Sequence, residues 1–362
     1  MDAKAADIVD LNFAYSLGSI SLQQLIEGLP EEPQRFYMFG GPTYNNLGDQ
    51  AIAHAEKRFF DKFFPEIAYI EIPEPNTDQA IEELLPLLRA DDIIGYTGGG
   101  NIGSVYLNHE EPRRKVFSTF VNNKTISFPQ SVNFEDNEKG QEELHKSQAA
   151  YQKNPNLTVV ARESQTLEYL KQNFDVNVIY TADIVLSLKP DRPEFDRDGV
   201  LFIMREDSEK VTEERLLEEL SKNLNYLDDE VERTDTVLPF KAYDGDEKTT
   251  TDLDEVRISE RKWLLDHKLD QIKSSEVIVT DRLHGMIFSV ITQTPCLVFD
   301  NSYGKASSSY YNWFEDLNYI EHTTEKDPQK LLAMIEDLKQ CEHSAVHDFS
   351  HSYDQLIDLI KK

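Results

Sequence analysis

The feature that most limits what this chain can fold into is an alternation. Short apolar runs succeed one another along most of the sequence, each separated from the next by a segment whose apolar residues fall at helical spacing. Parallel strands need a long crossover between them, and a helix packed on the sheet is the usual crossover. Strand then helix, repeated at this pitch, therefore predicts an α/β protein whose parallel sheets are covered on both faces.

In the first half, Leu22, Leu25, Ile26 and Leu29 predict a docking helix, and Phe36 to Phe39 a strand. Ile52, Ala55, Phe59 and Phe63 then predict a helix opening near Gly48 and Asp49. Strands are expected over 67–72, 92–97, 125–128 (closed by Pro129), 157–161, 176–180 and 184–188. Helices are expected over 79–88, 113–121, 138–152 and 164–173, and the glycine run Gly98-Gly99-Gly100 implies either a tight turn or a closely approaching ligand. The charged stretch 189–198, with Pro190 and Pro193, reads as a linker.

A second alternation follows it, with strands over 200–204, 236–238, 277–280 and 296–299, helices over 213–225, 253–274 and 283–292, and a polar loop over 240–252. Helices over 328–339 and 346–360 end the chain. The expected fold class is α/β, two Rossmann-like doubly wound domains facing a cleft. The expected boundaries are 1–190 for the first domain, 199–325 for the second and 326–362 for helices packing back. A chain of 362 residues suits two domains of this kind.

Charge narrows the function classes. With 37 Lys and Arg against 67 Asp and Glu, the formal charge is −30, and no basic stripe interrupts it. Such a field repels nucleic acid and anionic membrane surfaces. The two cysteines, Cys296 and Cys341, belong to no metal-ligand or disulfide pattern, and no metal or cofactor is expected. The N-terminal residues lack a signal-peptide pattern, and the longest apolar-leaning run, 286–299, is too short and too interrupted to cross a bilayer. A cytoplasmic location is expected.

Ligands of doubly wound sheets bind beyond the carboxyl ends of the strands. Five post-strand segments there carry unusual residues. Gly40 to Gln50 joins a strand to a helix through glycines that permit close backbone approach, and holds Asn46, Gly48 and Asp49. Thr97 to Gly103 places three consecutive glycines and Asn101 after another strand. Phe128-Pro129-Gln130-Ser131 is a polar strand end. Ala161-Arg162-Glu163 sets a guanidinium, suited to carboxylate or phosphate, at a strand-to-helix junction. Asp281-Arg282-Leu283-His284-Gly285 combines an anion fork, a titratable ring and a glycine at a helix start, and Asp300 to Lys305 adds a cation on the same rim.

Together, Asn46-Leu47-Gly48-Asp49, Gly98-Gly99-Gly100-Asn101, Phe128-Pro129-Gln130-Ser131, Ala161-Arg162-Glu163, Asp281-Arg282-Leu283-His284-Gly285 and Asp300-Asn301-Ser302-Tyr303-Gly304-Lys305 resemble the polysaccharide pyruvyl transferase family. The resemblance spans about residues 36–320 and is strongest to members from bacterial exopolysaccharide clusters. It implies a GT-B-like fold and transfer of pyruvate from phosphoenolpyruvate onto a sugar as a ketal. It also puts Arg162, Arg282, Leu283 (through its backbone) and His284 on the donor site.

Gly285, Asn301, Ser302, Tyr303 and Lys305 complete the expected donor side. Asn46, Gly48, Asp49, Gly99, Gly100, Asn101 and Gln130 form the expected acceptor or loop contacts. His284 is the candidate general acid, Arg282 its anion-binding partner and Asp49 the weaker candidate for base or hydroxyl contact. The expected partners are phosphoenolpyruvate and a sugar acceptor. If that sugar is a lipid-linked repeat unit, the protein is peripheral at the inner membrane face, beside assembly machinery. A nucleotide-sugar glycosyltransferase and a non-catalytic sugar-binding scaffold share the fold and stay open as alternatives. Residues 205–260 carry no recognised pattern.

Overall fold

The computed structural model describes residues 11–12, 14–15, 18–31, 33–189, 197–207, 209–227, 230–237, 256–300, 304–341 and 347–362. Two parallel sheets organise them. In the first half the chain runs α1 (Leu22–Gly28), β1 (Arg35–Gly41), α2 (Leu47–Phe63), β2 (Ala68–Pro73), α3 (Thr77–Leu84), β3 (Ile93–Tyr96) and β4 (Gly99–Gly103). It continues through α4 (Leu107–Thr119), β5 (Thr125–Asn133), α5 (Glu138–Tyr151), β6 (Leu157–Ala161), α6 (Ser164–Asn173) and β7 (Asn177–Tyr180). In the second half follow β8 (Val200–Ile203), α7 (Glu214–Tyr226), β9 (Val231–Thr234), α8 (Ile258–Ser274), β10 (Val277–Thr280), α9 (Leu283–Thr292), β11 (Cys296–Phe299), α10 (Lys305–Trp313), β12 (Ile320–Thr323), α11 (Pro328–Lys339) and α12 (Asp354–Lys361).

The first sheet has the order β2-β1-β3-β5-β6-β7 with β4 beside β5, and the second has β12-β11-β10-β8-β9. Every strand pairing in both is parallel. The strands are apolar on both faces because helices cover both: Phe36 to Phe39, Val277 to Val279 and Cys296 to Val298 are essentially inaccessible. One apolar cluster lies outside the first sheet and one outside the second. The third runs between the halves, from Phe59 and Phe60 of α2 to Met286, Ile287 and Phe288 of α9, and takes in Phe349 and Tyr353 from the end of the chain. The Tyr353 hydroxyl donates to the Asp183 carbonyl at 2.6 Å, tying the C-terminal turn to the first half.

The structure corrects several sequence expectations. Gly98 to Gly100 is no turn: Gly99 to Gly103 form β4, laid against the extension of β5. Glycine is needed because the backbones nearly touch; at Gly103 (φ 149°) an added Cβ would fall 1.8 Å from the Asn133 carbonyl oxygen. Pro129 does not end β5, which continues to Asn133. It occupies the register shift between Ser127 and Gln130, where the strand leaves β3 for β4 and no ladder N–H is required. The expected strand over 184–188 is a single 3-10 turn, Ile184–Ser187, capped by Asp183. The expected strand over 236–238 lies earlier, at Val231–Thr234; Val237 instead makes an isolated antiparallel bridge to Asn46 across the cleft. Strand β12 and helix α10 were not foreseen. Most of the expected linker and the polar loop over 240–252 lie outside the described residues.

Candidate active site

The first sheet reverses its order between β1 and β3, the second between β8 and β10. Loops diverge at such points and leave a crevice at the carboxyl ends of the strands. The two crevices open into one cavity of about 360 Å³. Its walls come from the loop after β1 (Tyr44, Asn45, Asn46) with Asp49 of α2, from Gly100 and Asn101 of β4, and from Tyr106 and His109 at the start of α4. Arg162 after β6, Arg205, Asp207 and Glu209 after β8, and Thr236 and Val237 after β9 continue it. Arg282, Leu283 and His284 after β10, with Lys305 at the start of α10, complete it.

Short bonds join the rims. Leu47 N–H donates to the Thr236 carbonyl at 2.8 Å and Val256 N–H to the Thr43 carbonyl at 2.6 Å. Farther back, Arg261 of α8 makes a two-pronged pair with Glu71 of β2, at 2.7 and 2.9 Å, and donates to Gln50 at 2.7 Å.

The cations are held by a lattice of carboxylates, from the buried Asp183 and Glu209 to the exposed Asp207. Arg162 donates from Nη1 to Asp183 and from Nε to Ser131 Oγ, both at 2.8 Å. Its Nη2 faces the chain of β4 closely enough that a methyl on Gly100 would sit 2.9 Å away. Asp183 is shared, since His284 Nε2 lies 3.7 Å from the same Oδ2. Burial alone would raise the Asp183 pKa, but His284 and Arg162 outweigh it and hold it at about 2. Asp183 is therefore an anion at neutral pH that faces both a guanidinium and the imidazole.

Arg282 directs Nε and Nη2 at the two oxygens of Asp235 and Nη1 at Asp207, each at 2.7 Å. Arg205 reaches Asp207 at 2.7 Å and Glu209 at 2.7 Å. Burial pushes Asp207 up, yet Arg205 and Arg282 hold it at about 2. Burial depresses the pKa of Lys305, which lies 3.6 Å from Glu209 and donates to the Gly100 carbonyl at 3.2 Å.

Helix α9 starts here with no side-chain cap at Arg282, so the N-terminal end carrying Leu283 and His284 opens toward the cavity. On the opposite wall, Asp49 Oδ2 accepts from Asn46 Nδ2 at 2.8 Å and from the Tyr44 hydroxyl at 3.1 Å.

Arg162, Arg282, Leu283, His284 and Lys305 of the expected donor set line the cavity, as do Asn46, Asp49, Gly100 and Asn101 of the expected acceptor set. Gly48, Gly99, Gly285 and Gln130 stand behind its walls. Gly48 lets the His284 ring approach, since a Cβ there would meet Nδ1 at 2.4 Å, and Gly285 lets α9 settle on Thr280, whose Oγ1 would be 2.3 Å from a Cβ. Gln130 is fully buried and donates to the Thr97 carbonyl at 2.7 Å, a structural bond. Asn301, Ser302 and Tyr303 lie outside the described residues.

The expected anion fork of Arg282 is partly occupied within the protein. Three of its N–H groups already serve carboxylates, from Asp207 and Asp235 in the stretch without a recognised pattern, so an anion meets Arg282 beside them or in exchange for one. Reading the sequence missed Asp183, Arg205, Asp207, Glu209, Asp235, Tyr106 and His109. Arg205 follows the β8 apolar run as Arg162 follows β6, and the same strand-end rule would have found it. The others have no local signature.

The fold and the site together define a GT-B-like α/β protein with a charged, polar cleft between two Rossmann-like halves. A similar fold is that of the UDP-GlcNAc 2-epimerase from Methanocaldococcus jannaschii, with TM-score 0.51 and 13% identity over 91% of this chain and 99% of that one. The model of the polysaccharide pyruvyl transferase family matches residues 46–303, and the chain belongs to that family of transferases. General stress protein 30 of Bacillus subtilis is 48% identical over 92% of this chain and 93% of its own length. Pyruvyl transferase 1 of Schizosaccharomyces pombe is 30% identical over 76% of this chain and 68% of its own length. No helix among the described residues is long and apolar enough to cross a membrane.

Proposed function

We propose that the protein transfers pyruvate from phosphoenolpyruvate to two hydroxyls of a sugar in a cell-surface or exopolysaccharide precursor, forming a ketal. The observation that carries this reading is the convergence of Arg162, Arg205, Arg282, Lys305, the N-terminal end of α9 and the His284 ring on one cavity. Phosphoenolpyruvate presents a carboxylate and a phosphate a few atoms apart, and two cationic groups at different strand ends suit that spacing. Lys305 and the Nη2 edge of Arg162 flank Gly100 and form one anchor. The uncapped end of α9 with Arg282 forms the other.

Protonation of the methylene carbon makes C2 electrophilic, and His284 supplies that proton. Asp183, ionised at neutral pH, lies 3.7 Å from Nε2 and faces the ring electrostatically. A sugar hydroxyl bonds to C2, the C2–O bond to phosphate breaks with its electron pair on phosphate, and a second hydroxyl closes the ketal. Of the two hydroxyl protons released, one restores His284 and one leaves with phosphate. No step calls on a metal or a cofactor.

Thermal-shift and calorimetric titration of phosphoenolpyruvate against nucleotide sugars, on wild type and Arg282→Ala, tests the reading. Phosphoenolpyruvate should bind and stabilise the wild type, and lose both effects in the variant. A response to nucleotide sugars alone would replace the reading with glycosyl transfer, and silence toward both with a non-catalytic sugar-binding role.

A further inference from the structure

We propose that His109, held by Glu74, is the general base that takes the proton from the attacking sugar hydroxyl, with Tyr44 and Tyr106 forming the acceptor's aromatic wall. This rests on the pyruvyl-transfer reading above and adds the residue that activates the acceptor. His109 Nδ1 lies 2.9 and 2.7 Å from the two oxygens of Glu74. An ionised carboxylate only accepts, so Nδ1 carries the ring proton and Nε2 keeps a lone pair. The Asn108 side-chain amide, 3.2 Å from Nε2, is the donor that this tautomer calls for, and it is exposed, so a hydroxyl can take its place. A base needs that combination of a nitrogen free to accept and a carboxylate behind the ring to stabilise the imidazolium once formed.

The mount is rigid. The Tyr96 hydroxyl donates to the His109 carbonyl at 3.2 Å. The next residue, Glu110, is fully buried, pairs with Arg113 and accepts from Ser147 Oγ at 2.6 Å and the Tyr151 hydroxyl at 2.9 Å. A ring on such a support holds its position against a substrate.

His109 lines the cavity that His284 lines from the opposite sheet. Tyr44 and Tyr106 flank the His109 ring, with ring centroids 5.3 and 6.2 Å away. Aromatic faces suit the C–H face of a pyranose, so this wall selects a hexose lying flat. Asp49 is the poorer base because its Oδ2 already accepts twice, and its place beside Tyr44 suits it to hold the second hydroxyl. The proton moves from the hydroxyl to His109 Nε2 as the oxygen bonds to C2. His109 then gives it up with the departing phosphate.

The test is phosphate release from phosphoenolpyruvate by the full chain, with methyl galactoside, glucoside and mannoside as acceptors and water as the baseline acceptor. His109→Ala should lower kcat by roughly a hundredfold or more, keep phosphoenolpyruvate affinity by calorimetry, and regain part of its turnover with added imidazole. Glu74→Gln should lose about tenfold or more. Unchanged kcat in His109→Ala, or loss of phosphoenolpyruvate affinity along with turnover, would overturn the assignment while leaving the donor reading in place. A wild type that binds no phosphoenolpyruvate by calorimetry would overturn the donor reading, and the base with it.

Discussion

His284 is flanked on two sides, by Asp183 at 3.7 Å from Nε2 and by Gly48, whose missing side chain leaves room for Nδ1. Replacing His284 with Ala should abolish phosphate release and leave the melting temperature within a few degrees of wild type; unchanged turnover would remove it as the proton donor. Asp183→Asn should be costlier to the fold, because buried Arg162 then loses its 2.8 Å partner and is left with Glu163 at 3.6 Å, a loss on the order of 1 to 3 kcal/mol readable in urea unfolding. A second residue-scale effect lies below the first switch point. Burial drives the Glu56 carboxyl up to about 8, against bonds from Gly98 N–H and Thr97 Oγ1 that favour its charge. A carboxyl at about 8 in the folded chain and near 4.5 in the unfolded one binds more protons when folded, so its contribution is full below 4.5 and is lost as pH rises toward 8. Wild type should therefore lose more stability than Glu56→Gln across that interval. Equal slopes would mean that the buried carboxyl is ionised.

At the scale of elements, the post-strand turns decide what reaches the cavity. The Thr280 hydroxyl donates to the Ile203 carbonyl at 2.7 Å and accepts from Arg282 N–H at 3.0 Å, so one side chain joins β10, β8 and the start of α9. Gly285 lets the helix rest on that hydroxyl. Gly285→Ala must push Thr280 or α9 aside, at about 1 to 3 kcal/mol, and displaces Leu283 and His284 with it. Denaturant midpoint and kcat should fall together in this variant, whereas His284→Ala lowers kcat alone. Elements with strong local signals were legible at this scale: 157–161, 164–173, 277–280, 283–292 and 296–299 match β6, α6, β10, α9 and β11. Those that failed did so for tertiary reasons. Pro129 reads as a strand end until a bulge makes its missing N–H harmless, and three glycines read as a turn or a ligand's approach until a neighbouring backbone requires them.

At the scale of the molecule, two sheets act as one because apolar packing between α2 and α9 is reinforced by a few buried polar ties. Arg261 with Glu71 and Gln50 is one of these and lies behind the cavity, clear of its lining. Arg261→Ala leaves Glu71 without its partner at the seam, and should cost about 3 to 5 kcal/mol and split a single thermal transition into two. A calorimetric trace that stays single at the wild-type temperature would show that the apolar seam suffices.

The alternation of apolar runs and amphipathic segments was enough to read the α/β class and the doubly wound plan, because strand and helix periodicities are local properties of a chain. The rule that parallel sheets bind at their strand ends singled out Arg282 and His284, with Lys305 on the same rim, and the family resemblance was needed to put Arg162 beside them. Which charges those cations meet was decided only by the folding of each sheet, and the approach of His284 to Asp183 only when the two sheets came together. Asp183, Asp207 and Asp235 reach them from strand ends that no sequence spacing relates, and Glu74 reaches His109 across 35 residues. Coulomb attraction acts through space, so the ion pairs that tune this site belong to the folded chain and to no stretch of it.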